Sequence, residues 1–164
     1  LEKKMWSILV SSPIGSIRLS ATQKGLFSVK IGCTPASRGG CCEDEDVCEV
    51  LKSAERELEE YFEGRRREFT VRLDIVGSEF DVMVWSALRS IPYGEVRSYR
   101  WLAEQIGYPN AYRAVGRALS RNPLPIFLPC HRVVRADGGL GGYSAGVDVK
   151  RFLLRLEIEN LARS

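Results

Sequence analysis

Apolar and polar positions alternate in short runs over the first thirty residues, the period of half-buried strands. Met5 to Val10 is a short, largely apolar run, Ser11-Ser12-Pro13-Ile14-Gly15 reads as a turn, and Ile17 with Leu19 opens a second run. Lys24-Gly25 marks another turn before Leu26, Val29 and Ile31, so the spacing predicts an antiparallel meander. Cys33 to Asp46, with glycines, a proline and an acidic cluster, is expected to be a mobile loop. The period then lengthens to that of a helix: Val47, Leu51, Ala54, Leu58, Tyr61 and Phe62 share one face of a segment from about Val47 to Phe62, stopped at Gly64. Phe69, Val71 and Leu73 alternate as a further strand.

Beyond Val76-Gly77 the pattern is mainly helical. Ser78 suits an N-cap for a helix carrying Phe80, Val84, Trp85 and Leu88, ended by Ile91-Pro92-Tyr93-Gly94. Ser98 suits a second cap, for a helix through Tyr99, Leu102, Ala103 and Ile106. Gly107-Tyr108-Pro109-Asn110 turns the chain into a third, from about Ala111 to Ser120, with Val115 and Leu119 inward. Two short helices joined by a glycine-containing turn have helix-turn-helix proportions, and Arg113 and Arg117, four residues apart, fall on one stripe of the second. A last helix from about Asp148 to Leu161 offers Val149, Phe152, Leu153, Leu156 and Leu161 to a core, with Glu157 at the edge of that stripe. The expected class is α+β: residues 1–76 form a small antiparallel sheet with a helix, and residues 77–164 a mostly helical unit with a helix-turn-helix.

Charge sharpens this division. Residues 1–76 carry 12 basic and 13 acidic side chains, residues 77–164 carry 12 and 8. Between Val84 and Arg135 eight arginines face only Glu95 and Glu104, a candidate footprint for a polyanion, although basic faces also occur on proteins that bind no nucleic acid. No apolar run reaches the ~18 residues of a membrane span, and the N-terminus lacks the order of a secretion signal, so an intracellular, cytoplasmic protein is expected. Five cysteines at 33, 41, 42, 48 and 130 are an odd number, and the first four lack the paired CxxC spacing of a zinc site. Unpaired thiols or a local disulfide remain open for that group.

The chemistry concentrates in Pro129-Cys130-His131-Arg132, where the one histidine of the chain follows a cysteine. Cysteine supplies a soft nucleophile and histidine a base that titrates near neutrality. Gly138 to Gly142, then Tyr143-Ser144, make a loop whose backbone can approach a ligand, without the lysine of a phosphate-binding Walker loop.

Taken with their neighbours, these residues resemble the O6-alkylguanine-DNA alkyltransferases. Leu128-Pro129-Cys130-His131-Arg132-Val133-Val134 matches that family's active-site signature. Ile91-Pro92-Tyr93-Gly94-Glu95-Val96 with Ser98-Tyr99, Arg113-Ala114-Val115-Gly116, Asn122-Pro123 and Gly142-Tyr143-Ser144 follow in family order. The likeness is dense from Phe80 to Leu156 and weak before Val76.

The resemblance implies a ribonuclease H-like fold for the first unit and a direct reversal of DNA damage by the second. Cys130 would take the alkyl group from O6 of a flipped guanine, irreversibly and once per molecule, as a methylated-DNA–protein-cysteine methyltransferase. His131 would activate the thiol through a water, Glu157 orient the imidazole, and Tyr99 assist the leaving base. Arg113 would fill the space vacated in the duplex, Ala114 and Gly116 allow close approach to the minor groove, Asn122 tie the recognition helix to the acceptor segment, and Tyr143 and Ser144 wall the base. No metal and no cofactor are implied. The partner would be double-stranded DNA containing O6-alkylguanine, bound by a monomer with no obligate protein partner and no membrane. Two other functions use part of the same pattern: a lesion-binding protein that transfers nothing, which Cys130 argues against, and a thiol hydrolase, which leaves the Arg113 block unexplained.

Overall fold

The computed structural model describes residues 5–32 and 44–163, and these divide into two compact units, Leu1–Ile75 and Val76–Ser164. In the first, β1 (Trp6–Ser12), β2 (Gly15–Thr22) and β3 (Gly25–Ile31) form an antiparallel sheet in that order. Ile17, Leu19, Ala21, Leu26 and Val29 are buried on one side of it. α1 (Glu45–Phe62) packs on the sheet and buries Val47, Leu51, Ala54, Leu58 and Tyr61, the face predicted from the sequence.

Two expectations change here. α1 starts inside the segment read as loop, because Asp44 caps it, its carboxylate accepting from the amides of Asp46 and Val47, while Glu45 and Asp46 lie at the positive end of the helix dipole. The acidic cluster is thus a helix start, and the remainder of the expected loop, with Cys33, Cys41 and Cys42, lies outside the described residues.

The strand expected at Phe69–Leu73 is not a strand either. It meets β3 through the Leu26–Leu73 bridge, with Leu26 donating to Arg72 O at 2.8 Å and Asp74 to Leu26 O at 2.8 Å. The amides of Thr70 and Val71 donate instead to the buried carboxylate of Glu57, at 2.7 and 3.0 Å, so a ladder cannot run through them. Gly25, at φ +146°, admits this close approach, since a Cβ there would lie 2.5 Å from Arg72 O.

In the second unit α2 (Glu79–Ala87) is capped by Ser78 and runs into a 3₁₀ turn at Leu88–Ser90. α3 (Tyr99–Gln105) is capped by Ser98, and α4 (Tyr112–Ser120) follows after a short turn, packing on both α2 and α3. The Trp85 indole donates to Ala118 O at 2.8 Å and fixes α2 against α4. A two-residue parallel pair joins β4 (Arg97–Ser98) to β5 (Val133–Val134), which brings the start of α3 beside the acceptor segment.

α5 (Val147–Ala162) closes the unit, but its inward face differs from the one expected. Lys150, Leu153 and Glu157 are buried, and Phe152 is 37% exposed. Glu157 stands at the centre of the buried stripe rather than its edge, because charged partners await it there. Among the described residues no helix is long and apolar enough to cross a membrane.

Candidate active site

Cys130, His131 and Arg132 form one turn of 3₁₀ helix. Their side chains part company. Cys130, 6% exposed, borders a cavity of about 350 Å³ lined also by Tyr99, Gly116, Leu119, Ser120, Gly142, Tyr143 and Ser144. That volume lies in the ~300–1,000 Å³ range of small-ligand sites. His131 turns to the interior and is fully buried.

Behind the cysteine lies a charge network centred on Glu157, itself fully buried. One carboxylate oxygen accepts from Arg132 Nε at 2.8 Å and from the Gly94 amide at 2.9 Å. The other accepts from Arg132 Nη2 at 3.2 Å and lies 2.5 Å from His131 Nε2. Arg132 is fixed in turn, donating through Nη1 to Ile91 O at 2.8 Å and lying over the Tyr93 ring. The Ile91-Pro92-Tyr93-Gly94 segment thereby contributes a backbone acceptor and a backbone donor to one network, with Gly94 in the left-handed region at φ +80°.

This network fixes protonation. Burial by itself would raise the Glu157 pKa, but the hydrogen bonds and charges of His131 and Arg132 overcome it and hold the carboxyl at about 2. An ionised carboxylate only accepts, so His131 donates through Nε2. Burial holds the His131 pKa below its usual value, against the pull of Glu157, so the ring is neutral at pH 7 and its Nδ1 carries a lone pair. Nδ1 is buried and has no hydrogen-bond partner among the described residues.

Burial also pushes the Cys130 thiol up; a hydrogen bond from Asn122, the charge of Lys150 and the phenol of Tyr143 act against it. The resting thiol is therefore protonated at neutral pH, and a nucleophile made from it needs a base. Tyr99 and Tyr143 are both pushed up, chiefly by burial and then by the neighbouring cysteine, so each is a phenol and a potential donor. Among the described residues the Tyr143 hydroxyl makes no hydrogen bond of ordinary geometry, although it lies beside the cysteine.

Asn122 clamps the acceptor loop, donating to Leu128 O and accepting from the Leu124 amide, each at 2.9 Å. Between these two contacts Ile126 holds φ +77°, an unusual conformation for a β-branched residue, while its side chain is buried. Gly141, at φ +73°, lies so close to Tyr99 that a Cβ would stand 2.5 Å from the phenol oxygen.

Neither Arg132 nor Lys150 has a role legible in the sequence. Lys150 is fully buried and its ammonium donates to Val133 O at 2.6 Å, to Leu140 O and to Gly142 O at 3.3 Å, joining the acceptor strand to the glycine loop. Burial lowers its pKa to about 8, and the cysteine pulls the other way. The spacing of Lys150, Leu153 and Glu157 is helical, so the signal was present, but a lysine on a buried face reads as solvated until its carbonyl partners are seen.

The named residues thus fall into three groups. Cys130, Tyr99, Gly116, Tyr143 and Ser144 meet around the cavity, and His131, Glu157 and Asn122 support it from behind. Arg113 lies outside, on a groove of about 450 Å³ that shares Tyr99 and Gly116 with the cavity, and half-buried Ala114 lines neither. Of the eight arginines counted from sequence, Arg97, Arg121, Arg132 and Arg135 pair with carboxylates, leaving Arg89, Arg100, Arg113 and Arg117 without one among the described residues. Nor, among those residues, does any group of three His, Cys, Asp or Glu stand close enough to hold a metal ion.

Comparison with known proteins matches residues 5–75 to the 6-O-methylguanine DNA methyltransferase ribonuclease-like domain and residues 79–159 to the DNA binding domain of the same family. The chain is 54% identical over 150 residues to a methylated-DNA–protein-cysteine methyltransferase of Mycobacterium bovis, covering 90% of this chain and 89% of that one. A protein of the same name from Methanosarcina barkeri is 43% identical over 157 residues, 96% of this chain and 99% of its own. The crystal structure of Mycobacterium tuberculosis OGT in complex with DNA superposes with a TM-score of 0.81 at 42% identity, over 93% of this chain and 92% of that one.

Proposed function

The chain belongs to the methylated-DNA–protein-cysteine methyltransferase family, and from that premise we propose that it repairs O6-alkylguanine in double-stranded DNA by moving the alkyl group onto Cys130. One observation carries the assignment: a buried thiol on an open cavity, followed by a neutral histidine whose Nε2 is held by Glu157 and whose Nδ1 is buried and, among the described residues, unpartnered.

The guanine enters the cavity flipped out of the duplex, since a stacked base cannot reach a sulfur so placed. Through a bridging water, His131 Nδ1 takes the thiol proton while Glu157 holds the opposite nitrogen and balances the imidazolium that forms. The sulfur attacks the alkyl carbon, the carbon–oxygen bond breaks, and the electron pair passes into the guanine ring. Tyr99, a phenol at the cavity wall, supplies a proton to the departing base, and Tyr143 with the amides around Ser144 surrounds O6. The product is a thioether that water does not cleave, so each molecule acts once and needs no cofactor.

We assign residues 77–164 to DNA binding and alkyl acceptance and residues 1–76 to a supporting α+β domain. Arg113, exposed at the second position of α4, fills the gap left by the flipped base, while Ala114 and Gly116 let the helix approach the minor groove. The protein works as a monomer in the cytoplasm.

The test is Cys130→Ser, assayed on a duplex bearing a single O6-methylguanine. Loss of all transfer with lesion binding retained supports the assignment; residual transfer in the variant refutes it.

A further inference from the structure

The groove beside the cavity carries more positive charge than a finger residue requires. Arg100, Arg113 and Arg135 line it together, with Tyr99, Tyr112, Gly116, Ala136 and one carboxylate, that of Asp137. Arg135 differs from the other two in being built into place. Its amide donates to Gly139 O at 2.8 Å and its carbonyl accepts from Gly138 at 3.0 Å, closing a tight turn immediately after β5. Asp137 is fixed inside that turn, one oxygen accepting from the Gly139 amide at 2.9 Å and the other from Arg135 Nη2 at 3.0 Å. The arginine stem crosses Gly139, where a Cβ would lie 3.4 Å from its Cδ. Nε and Nη1 bond to nothing else among the described residues, and the side chain is 61% exposed.

An ion pair this exposed contributes little to stability, so the turn needs another reason to orient a guanidinium. Position supplies one. The cavity and the groove share Tyr99 and Gly116, so a nucleotide whose base sits against Cys130 leads its sugar and phosphate out past Tyr99 into the groove. The positive charge of Arg135 is felt at the Tyr99 phenol, which places it near that exit.

We propose that Arg135, oriented by Asp137, is a preformed phosphate-binding site for the backbone of the flipped nucleotide. The proposal rests on the alkyl-transfer function above and adds to it a specific phosphodiester contact. A guanidinium fork suits that ligand, because Nη2 spends one hydrogen on Asp137 and keeps the other parallel to an N–H of Nε or Nη1, a pair that meets two phosphate oxygens, and advance positioning spares the ordering cost on binding.

The experiment combines Arg135→Ala with duplexes in which each phosphate flanking a single O6-methylguanine is replaced, one at a time, by a neutral methylphosphonate. Single-turnover rates are taken on these duplexes and on free O6-methylguanine. A charge-assisted contact predicts that Arg135→Ala lowers the ratio of duplex to free-base rates about 10- to 30-fold. Arg135→Lys, which keeps the charge without the fork, should recover part of that loss. One methylphosphonate should depress the wild-type rate similarly and have little further effect on Arg135→Ala. Equal losses on duplex and free base, or losses that multiply at every phosphate, would overturn the clamp while leaving alkyl transfer intact. A wild-type protein that transfers nothing would instead overturn the assignment of Cys130, and the clamp with it.

Discussion

Glu157→Gln changes one atom of the acceptor network and reverses its logic. The carboxylate accepts from Arg132 at both oxygens, from the Gly94 amide and from His131. A glutamine can keep its oxygen toward Gly94 and Arg132 Nε, but its amide group then faces His131 as a donor. The imidazole must answer by accepting at Nε2, which moves its proton to Nδ1 and removes the lone pair that the proposed relay uses. General-base assistance is worth ~10²–10⁴ in rate, so transfer from a methylated duplex should slow by about that factor. Stability falls too: Arg132 loses its counter-charge in a buried site, at a cost of ~3–5 kcal/mol, so rates belong at low temperature with folding checked by circular dichroism. The telling readout is the pH profile. Wild-type transfer uses a base that is already neutral at pH 7, whereas the variant must draw on the small thiolate fraction, whose pKa burial has raised. Its deficit should therefore shrink as pH rises toward 9. Single-turnover quench kinetics from pH 6 to 9 measure this, and a variant within threefold of wild type at pH 7, or a deficit constant across the range, would refute the relay.

Three further outcomes follow from the same contacts. Arg113→Ala should impair repair of paired DNA far more than transfer from free O6-benzylguanine, and equal losses on both would remove its finger role. Asn122→Ala leaves the Leu124 amide buried and unpaired and Leu128 O with the Cys130 amide alone, a loss of ~1–3 kcal/mol in denaturant unfolding, and raises the Cys130 pKa further, so alkylation by iodoacetamide at pH 8 should slow; unchanged reactivity reduces Asn122 to a helix terminator. Unfolding free energy should decline as pH falls below ~6.5, where the unfolded histidine gains a proton that buried His131 resists, and again between ~4.5 and ~2, where unfolded carboxyls are protonated and Glu157 is not; the Glu157 contribution is fully present above that window, is worth ~3 kcal/mol, and should be missing from the acid limb of Glu157→Gln.

Features set by local chemistry were legible in the chain. Ser78 and Ser98 announce the starts of α2 and α3, and the periodicity of α1 identifies its buried face. What escaped depended on partners distant in sequence. The alternation of Phe69, Val71 and Leu73 is strand-like, yet Glu57 on α1 takes the amides that a ladder needs. Glu157 was found through family likeness, but its place at the centre of the α5 stripe follows from Arg132, 25 residues away, and Lys150 is buried because three carbonyls meet it. The positive φ of Ile126 has no local signal, since nothing in its side chain favours that conformation.

Incubation of the wild-type protein with an excess of duplex carrying one O6-methylguanine, followed by peptide mass analysis, tests alkyl acceptance most directly. The peptide containing Cys130 should gain about 14 Da, once per chain, with repaired guanine appearing in equal amount and no further turnover. Methyl groups on another residue, or repaired guanine in molar excess over protein, would contradict the role given to Cys130.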